Sequence, residues 1–137
     1  MARLESRARA RALQALYAWD VRGREGLERV ALQTWDDLRV GPEERRLASQ
    51  LVNVMVEQGR EVDAELADVT TNWRMERLGV IERCVLRLAA AELRRGETPP
   101  KVVIQEAVHL AERYGSAQSA KFVNGVLDAL ARRHGRL

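Results

Sequence analysis

The sequence predicts an all-α fold of about seven helices, and three observations lead to this prediction. Apolar residues recur at three- and four-residue spacing along most of the chain, which is the period of an amphipathic helix. No stretch of useful length alternates apolar and polar residues as a half-buried strand does. Pro42, Pro99 and Pro100 are the only prolines, and all three fall between the periodic segments. A chain of 137 residues is long enough for a single domain, 1–137, with one core.

The first half of the chain predicts four helices, at about 7–21, 27–38, 43–58 and 60–68. Leu13 and Leu16 mark the apolar face of the first helix. The break between the second and third helices is Gly41-Pro42, because proline is favoured in the first turn of a helix. Gly59 separates the third helix from the fourth. Side chains that could cap a following turn come next in the sequence, at Thr70, Thr71 and Asn72.

The second half predicts three more helices, at about 79–94, 103–114 and 120–133, the first of them the longest in the chain. Gly96 ends that helix, and the two adjacent prolines form a rigid elbow because each fixes its own φ. Gly115 is the expected C-cap of the next helix, and Ser116 or Ser119 the N-cap of the last.

The last predicted helix contains the octapeptide KFVNGVLD, in which Asn124-Gly125 interrupts apolar residues at helical spacing. This dipeptide ordinarily marks a hairpin turn, but no strand pattern flanks it. Glycine inside a helix costs about 1 kcal/mol relative to alanine. We therefore expect Gly125 to let another helix approach closely, and Asn124 to hydrogen-bond to a neighbouring loop or helix end.

Both ends of the chain are basic around an acidic middle. Residues 1–11 carry a net charge of +3, residues 12–76 of −5 and residues 77–137 of +5. Arginine supplies nearly all of the positive charge, and its planar guanidinium suits phosphate contacts and base stacking. No apolar run reaches the roughly 20 residues that span a bilayer, and no apolar stretch follows the basic start as in a secretory signal. We therefore expect a cytoplasmic protein with no membrane partner.

The residue types that carry out catalysis or bind metals form no convincing set. Cys84 is the only cysteine and falls at a helical position, where we expect a small buried side chain. His109 and His134 lie far apart and lack further ligands at metal spacing. Four acidic residues are interpreted as a solvated helix face: Glu61, Asp63, Glu65 and Asp68. We expect a binding protein with no catalytic residues, no metal and no cofactor.

The basic start, RARARALQALYAWD, is the strongest candidate for a binding site. At 100° per residue, Arg7 and Arg11 share a face opposite the apolar stripe, whereas Arg9 points towards that stripe. Either Arg9 lies beyond the packed core, or residues 1–11 form a loose arm. Both arrangements leave an arginine cluster free to meet phosphates, with Tyr17 at the edge of the stripe to stack on an unpaired base. A solvated basic end with Tyr17 at the core rim fits the same residues.

Four segments of the chain resemble the bacterial NusB family of transcription antitermination factors. They are RARARALQALYAWD, LGVIERCVLRLAAAEL, TPPKVVIQEAVHLAERYG and YGSAQSAKFVNGVLDALARR. The resemblance covers essentially the whole chain and is weakest at about 22–60. It implies two packed helical subdomains and binding to the single-stranded boxA element of nascent ribosomal RNA. It also implies a heterodimer with the ribosomal protein NusE inside an RNA polymerase antitermination complex.

The resemblance also assigns site residues by matching position. Those expected at the RNA are Arg7, Arg9, Arg11, Tyr17, Lys121 and Phe122, although Phe122 could equally belong to the core. Those expected at the partner are Glu82, Arg83 and Gln118. Two positions depart from the family pattern. Gln118 replaces an acid common in the family, which we expect to alter the RNA or partner surface. Ala91 replaces a common tyrosine, which we interpret as a packing change.

Two other functions stay open at this point. A NusB-like module also fronts certain ribosomal RNA cytosine methyltransferases. This chain stops about ten residues after KFVNGVLD, so we expect that function only if a partner supplies the methyl-donor domain or the chain is truncated. The other alternative is a module for protein interaction alone, or a homodimer that masks its RNA face.

Overall fold

A computed structural model describes residues 3–70 and 77–135, and these residues form six helices. They are α1 (Leu4–Val21), α2 (Leu27–Asp37), α3 (Pro42–Val69), α4 (Val80–Arg95), α5 (Pro100–Tyr114) and α6 (Ala117–Arg133). No strand occurs in the described ranges. The predicted all-α class is confirmed.

Helix α3 explains why six helices are found where about seven were predicted. The sequence predicts a break at Gly59, and the structure has non-helical angles one residue earlier, at Gln58 (φ −129°, ψ 23°). The predicted break is therefore present within one residue of its expected position, and the two predicted helices are joined across this kink into one element of 28 residues. The helix predicted at 79–94 has nearly the expected bounds but is not the longest. Thr70 donates its hydroxyl hydrogen to the carbonyl of Leu66 at 2.7 Å, so it closes α3. The expected capping role of Thr71 and Asn72 lies outside the described residues.

The helices pack as two groups around one continuous core. Helices α1, α2 and α3 pack together, and so do α4, α5 and α6, while α4 also packs against α1 and α3. Leu13, Leu16 and Trp35 are fully or almost fully buried in the first group. The indole nitrogen of Trp35 donates to the carbonyl of Arg11 at 2.9 Å and so anchors α2 on α1. Cys84 is completely buried, as expected.

The joints between helices follow the sequence closely. Helix α3 begins at Pro42, and α4 ends at Gly96, which has the left-handed angles (φ 74°) that favour glycine. Gly115 is the C-cap of α5, as predicted. The hydroxyl of Ser116 accepts a hydrogen bond from the backbone N–H of Ser119 at 3.1 Å, so Ser116 is the N-cap of α6.

Ion pairs between helices correct the interpretation of the acidic residues near the end of α3. Asp63 pairs with Arg87, Glu65 with Arg94, and Asp68 with Arg133. These pairs fasten α3 to α4 and to the last turn of α6. The interpretation as a solvated face holds for Glu61 and Asp68, which are exposed. It is wrong for Asp63 and Glu65, which are partly buried.

The expected close approach at Gly125 is also wrong. Gly125 lies inside α6 and is exposed, and a Cβ placed on it would have no neighbouring atom within 4 Å. Asn124 is exposed beside it. The apolar neighbours Val123 and Val126 are buried. The NG dipeptide therefore lies on the outer face of α6, and packing inside this chain gives no reason for the glycine.

Candidate nucleic-acid interface

The outer face of α1 carries an uninterrupted stripe of solvent-accessible residues. They recur every three or four positions, which places them on one side of the helix: Arg3, Arg7, Ala10, Gln14, Tyr17 and Val21. Tyr17 is 43% exposed, so its ring is accessible at the edge of the packed face, as the sequence predicts. At 1.5 Å per residue, Arg7 and Tyr17 are about 15 Å apart along the helix axis.

Arg7 and Arg11 lie at the surface and share one carboxylate. Nε of Arg7 is 3.2 Å from one oxygen of Glu44, and Nε of Arg11 is 3.0 Å from the other. The hydrogen bond from Arg11, reinforced by that from Arg7, holds the pKa of the Glu44 carboxyl below its usual value against the opposing effect of burial. Arg7 is exposed, whereas Arg11 and Glu44 are partly buried. Arg11 also donates a hydrogen bond to the side-chain oxygen of Gln14 at 3.2 Å. A phosphate at this surface would compete with Glu44 for both guanidiniums.

Arg9 occupies a different environment, and the prediction that it is free to meet phosphates is wrong. Helix α1 begins at Leu4, so no loose arm precedes Arg9 among the described residues. Its guanidinium forms two parallel hydrogen bonds to Glu92, at 2.8 and 2.7 Å, and a third to Glu106 at 2.8 Å. The hydrogen bond to Glu92 raises the pKa of Arg9, and the residue is only 8% exposed. Arg9 thus joins α1 to α4 and α5 inside the protein.

A second buried ion cluster joins the end of α1 to the start of α4. Asp20 accepts hydrogen bonds from Arg83 at 2.6 and 3.0 Å and from Arg87 at 3.0 Å. Arg83 also donates to the carbonyl of Leu78 at 2.6 Å, and its side chain is 12% exposed. Arg87 lies over the ring of Trp19, 5.5 Å from its centroid. Arg83 therefore positions the first turn of α4 beside α1, and little of its side chain is accessible to a partner.

Glu82 brings the first turns of α4 and α6 together. Its carboxylate accepts a hydrogen bond from the hydroxyl of Ser119. Gln118, immediately before Ser119, is exposed, and Lys121 is exposed two residues after it. Phe122 is partly buried and packs against the core. Of the predicted site residues on this side, Glu82, Gln118 and Lys121 form an accessible group, whereas Phe122 contributes mainly to packing.

An open groove of about 900 Å³ runs between α1 and α5. Residues from the start of α1, including Arg3, Arg7 and Gln14, form one wall, and His109, Arg113 and Tyr114 belong to the other. None of these α5 residues was predicted to bind RNA. The sequence signal for them is that Val102, Gln105, His109 and Arg113 recur every three or four positions and include two basic side chains, and all four are exposed on the outer face of α5.

The described residues give no support for a metal site. They contain no group of three or more His, Cys, Asp or Glu side chains that could hold a metal ion. Burial of Cys84 raises the pKa of its thiol to about 12, so it stays protonated and unreactive. No helix in the described ranges is long and apolar enough to cross a membrane.

Sequence comparisons identify close relatives over nearly the full chain. The sequence model of the NusB family matches residues 6–132. The transcription antitermination protein NusB of Anaeromyxobacter dehalogenans is 46% identical over 129 residues, which cover 92% of this chain and 89% of that protein. The protein of the same name from Sorangium cellulosum is 43% identical over 133 residues, which cover 96% of this chain and 94% of that protein.

Solved structures agree with these matches. A chain in the crystal structure of antitermination factors NusB and NusE in complex with double-stranded RNA superposes with a TM-score of 0.87 at 31% identity. That match covers 97% of this chain and 99% of the other. NusB of T. maritima superposes with a TM-score of 0.86 at 32% identity, covering 96% of this chain and 93% of the other.

Proposed function

The chain belongs to the NusB family, and we propose that it is a non-catalytic, RNA-binding transcription antitermination factor that recognises boxA of nascent ribosomal RNA together with NusE. The observation that carries the proposal is the exposed stripe of α1, where Arg7 and Tyr17 stand on one accessible face. Acting on nascent transcripts, the protein works in the cytoplasm within the RNA polymerase antitermination complex.

In this proposal the arginines of α1 supply attraction and Tyr17 supplies a surface for a base. Arg7 and Arg11 exchange Glu44 for RNA phosphates, so that binding weakens as salt rises. A base stacked on an aromatic ring contributes about 1–3 kcal/mol. Preference for one sequence comes from stacking and base-edge contacts, because phosphate contacts carry no sequence information. Arg9 supports this face from inside by fixing α1 against α4 and α5.

We place NusE at the accessible group on the first turns of α4 and α6. Glu82, Gln118 and Lys121 lie there, close to the end of α1 through the contact between Asp20 and Arg83. Lys121, with Phe122 behind it, is the part of this group that would reach RNA. A partner at this position extends the RNA footprint, and two weak sites on one RNA bind much more tightly than either site alone.

A pair of matched variants tests the α1 assignment. Arg7→Ala with Arg11→Ala should weaken boxA binding and reduce the slope of log K against log salt by about 0.7 for each lost phosphate contact. The control is Arg132→Ala, which removes an exposed arginine from the last turn of α6. Binding is measured by fluorescence anisotropy at several salt concentrations, with circular dichroism to verify folding. Equal boxA affinity in the parent and the double variant would contradict the proposal.

Two further measurements separate the alternatives. The solved relative with double-stranded RNA makes a duplex the natural comparison, and we expect single-stranded boxA to bind more tightly than the same sequence in a duplex. Light scattering at several concentrations, with and without NusE, distinguishes a heterodimer from a homodimer that masks the RNA face. Calorimetric detection of methyl-donor binding would instead favour the methyltransferase module.

A further inference from the structure

The groove between α1 and α5 is much more basic than the chain as a whole. Among the described residues, its lining contains five arginines and one carboxylate, Glu106, which accepts hydrogen bonds from Arg9 and Ser6. Two carboxylates behind the lining also pair with these arginines, Glu92 with Arg9 and Glu44 with Arg7 and Arg11, so five positive charges face three negative ones. The groove attracts a polyanion.

The walls and floor of the groove also limit what can bind. Ser6 and Arg9 of α1 hydrogen-bond to Glu106 of α5 and so connect the two walls. Ala10, Val102 and Leu110 add apolar surface to the lining. The opening follows α1 from Arg3 to Gln14, a distance of about 16 Å at 1.5 Å per residue. An extended chain with repeated negative charges fits this shape.

The α5 wall supplies a planar cation and an aromatic ring side by side. The guanidinium of Arg113 lies over the ring of Tyr114, 5.1 Å from its centroid. Such a pair holds the guanidinium in place through a cation–π contact. An arginine held against a ring can meet a phosphate or stack on a base. His109, one turn earlier on α5, is exposed in the same wall.

We propose that the α1–α5 groove holds a single-stranded RNA segment that flanks the recognised element, with His109 and Arg113 of α5 as additional RNA-binding residues. The proposal rests on the RNA-binding function inferred above, because Arg3 and Arg7 belong both to the α1 stripe and to the groove. RNA that follows the α1 stripe past Arg7 enters the groove and meets α5 on its other side.

The test compares two labelled RNAs, a short boxA oligonucleotide and the same oligonucleotide extended by about six unpaired nucleotides at either end. With the parent protein, the extension at one end should increase affinity at least about fivefold, the low end of one stacking contact. His109→Ala with Arg113→Ala should abolish this gain and leave binding of the short RNA unchanged. The control variant Arg132→Ala should keep the gain in affinity. Arg132 is an exposed arginine in the last turn of α6, and Arg113 has the same position in α5.

Each result leads to a definite conclusion. If the parent protein binds the short RNA and neither extension increases its affinity, the groove proposal is wrong and the proposed function is unaffected. A gain that persists in the α5 variant likewise overturns the groove proposal. Failure of the parent to prefer short boxA over a scrambled RNA contradicts the proposed function itself.

Discussion

Replacing Arg9 by alanine should destabilise the fold, although Arg9 belongs to a motif rich in candidate RNA-binding residues. Its guanidinium is the partner of two carboxylates, Glu92 and Glu106, and the side chain of Glu92 is 6% exposed. Removing one member of a buried ion pair leaves the other charge without compensation and costs about 3–5 kcal/mol. Arg7→Ala, the neighbouring control on the exposed face, should cost no more than about 1 kcal/mol.

Urea unfolding followed by circular dichroism measures this difference. With a slope of about 2 kcal/mol per molar urea, a typical value for a small domain, Arg9→Ala should lower the midpoint by about 2 M. Arg9→Met and Glu92→Met should each destabilise, and the double variant should cost at least about 1 kcal/mol less than the sum, because both charges are then absent. If Arg9→Ala unfolded at the same urea concentration as the parent but lost RNA binding, Arg9 would not stabilise the fold and would instead be an RNA-binding residue.

Three further predictions concern stability and reactivity. Gly125→Ala should raise the free energy of unfolding by about 1 kcal/mol, because the site is helical and open; a lower melting temperature would contradict this. Asp20→Asn should cost about 3 kcal/mol at pH 7. The hydrogen bond from Arg83 lowers the pKa of Asp20. The stability that the ionised Asp20 contributes is therefore complete above about pH 4 and is lost as pH falls through the folded-state pKa. If Asp20→Asn lowered the free energy of unfolding by the same amount at pH 2 as at pH 7, the ionised carboxylate would not be the source of this stability. The Cys84 thiol, with its pKa raised to about 12, should react with a disulfide reagent only as the protein unfolds in urea, whereas rapid labelling of the native protein would show that the site is accessible.

The sequence predicts the helices well because their signals are local. Pro42, Gly96 and Ser116 act on the backbone within a turn of their own position, and each marks a joint in the structure. The kink at Gln58 is less predictable, since glycine next to it can either break a helix or bend it. Packing of α3 against α1 and α4 decides between these outcomes, and that packing is not local in sequence.

The candidate site is predictable only in part because burial depends on helices that lie far away in the chain. The 100° rule places Arg9 towards the apolar side of α1, but its partners Glu92 and Glu106 are 83 and 97 residues away. The same limitation applies to Gly125, since its spacing does not reveal whether another helix covers it. His109 and Arg113 become candidates only when α5 is placed across the groove from α1.

Sequence-specific RNA recognition shared with NusE can be tested by an electrophoretic mobility shift. BoxA RNA and a scrambled RNA of the same composition are each titrated with the parent protein at moderate salt, with and without NusE. We expect a preference for boxA over the scrambled RNA that increases when NusE is added. Equal shifts for both RNAs under both conditions would contradict it and leave a protein that binds RNA through charge alone.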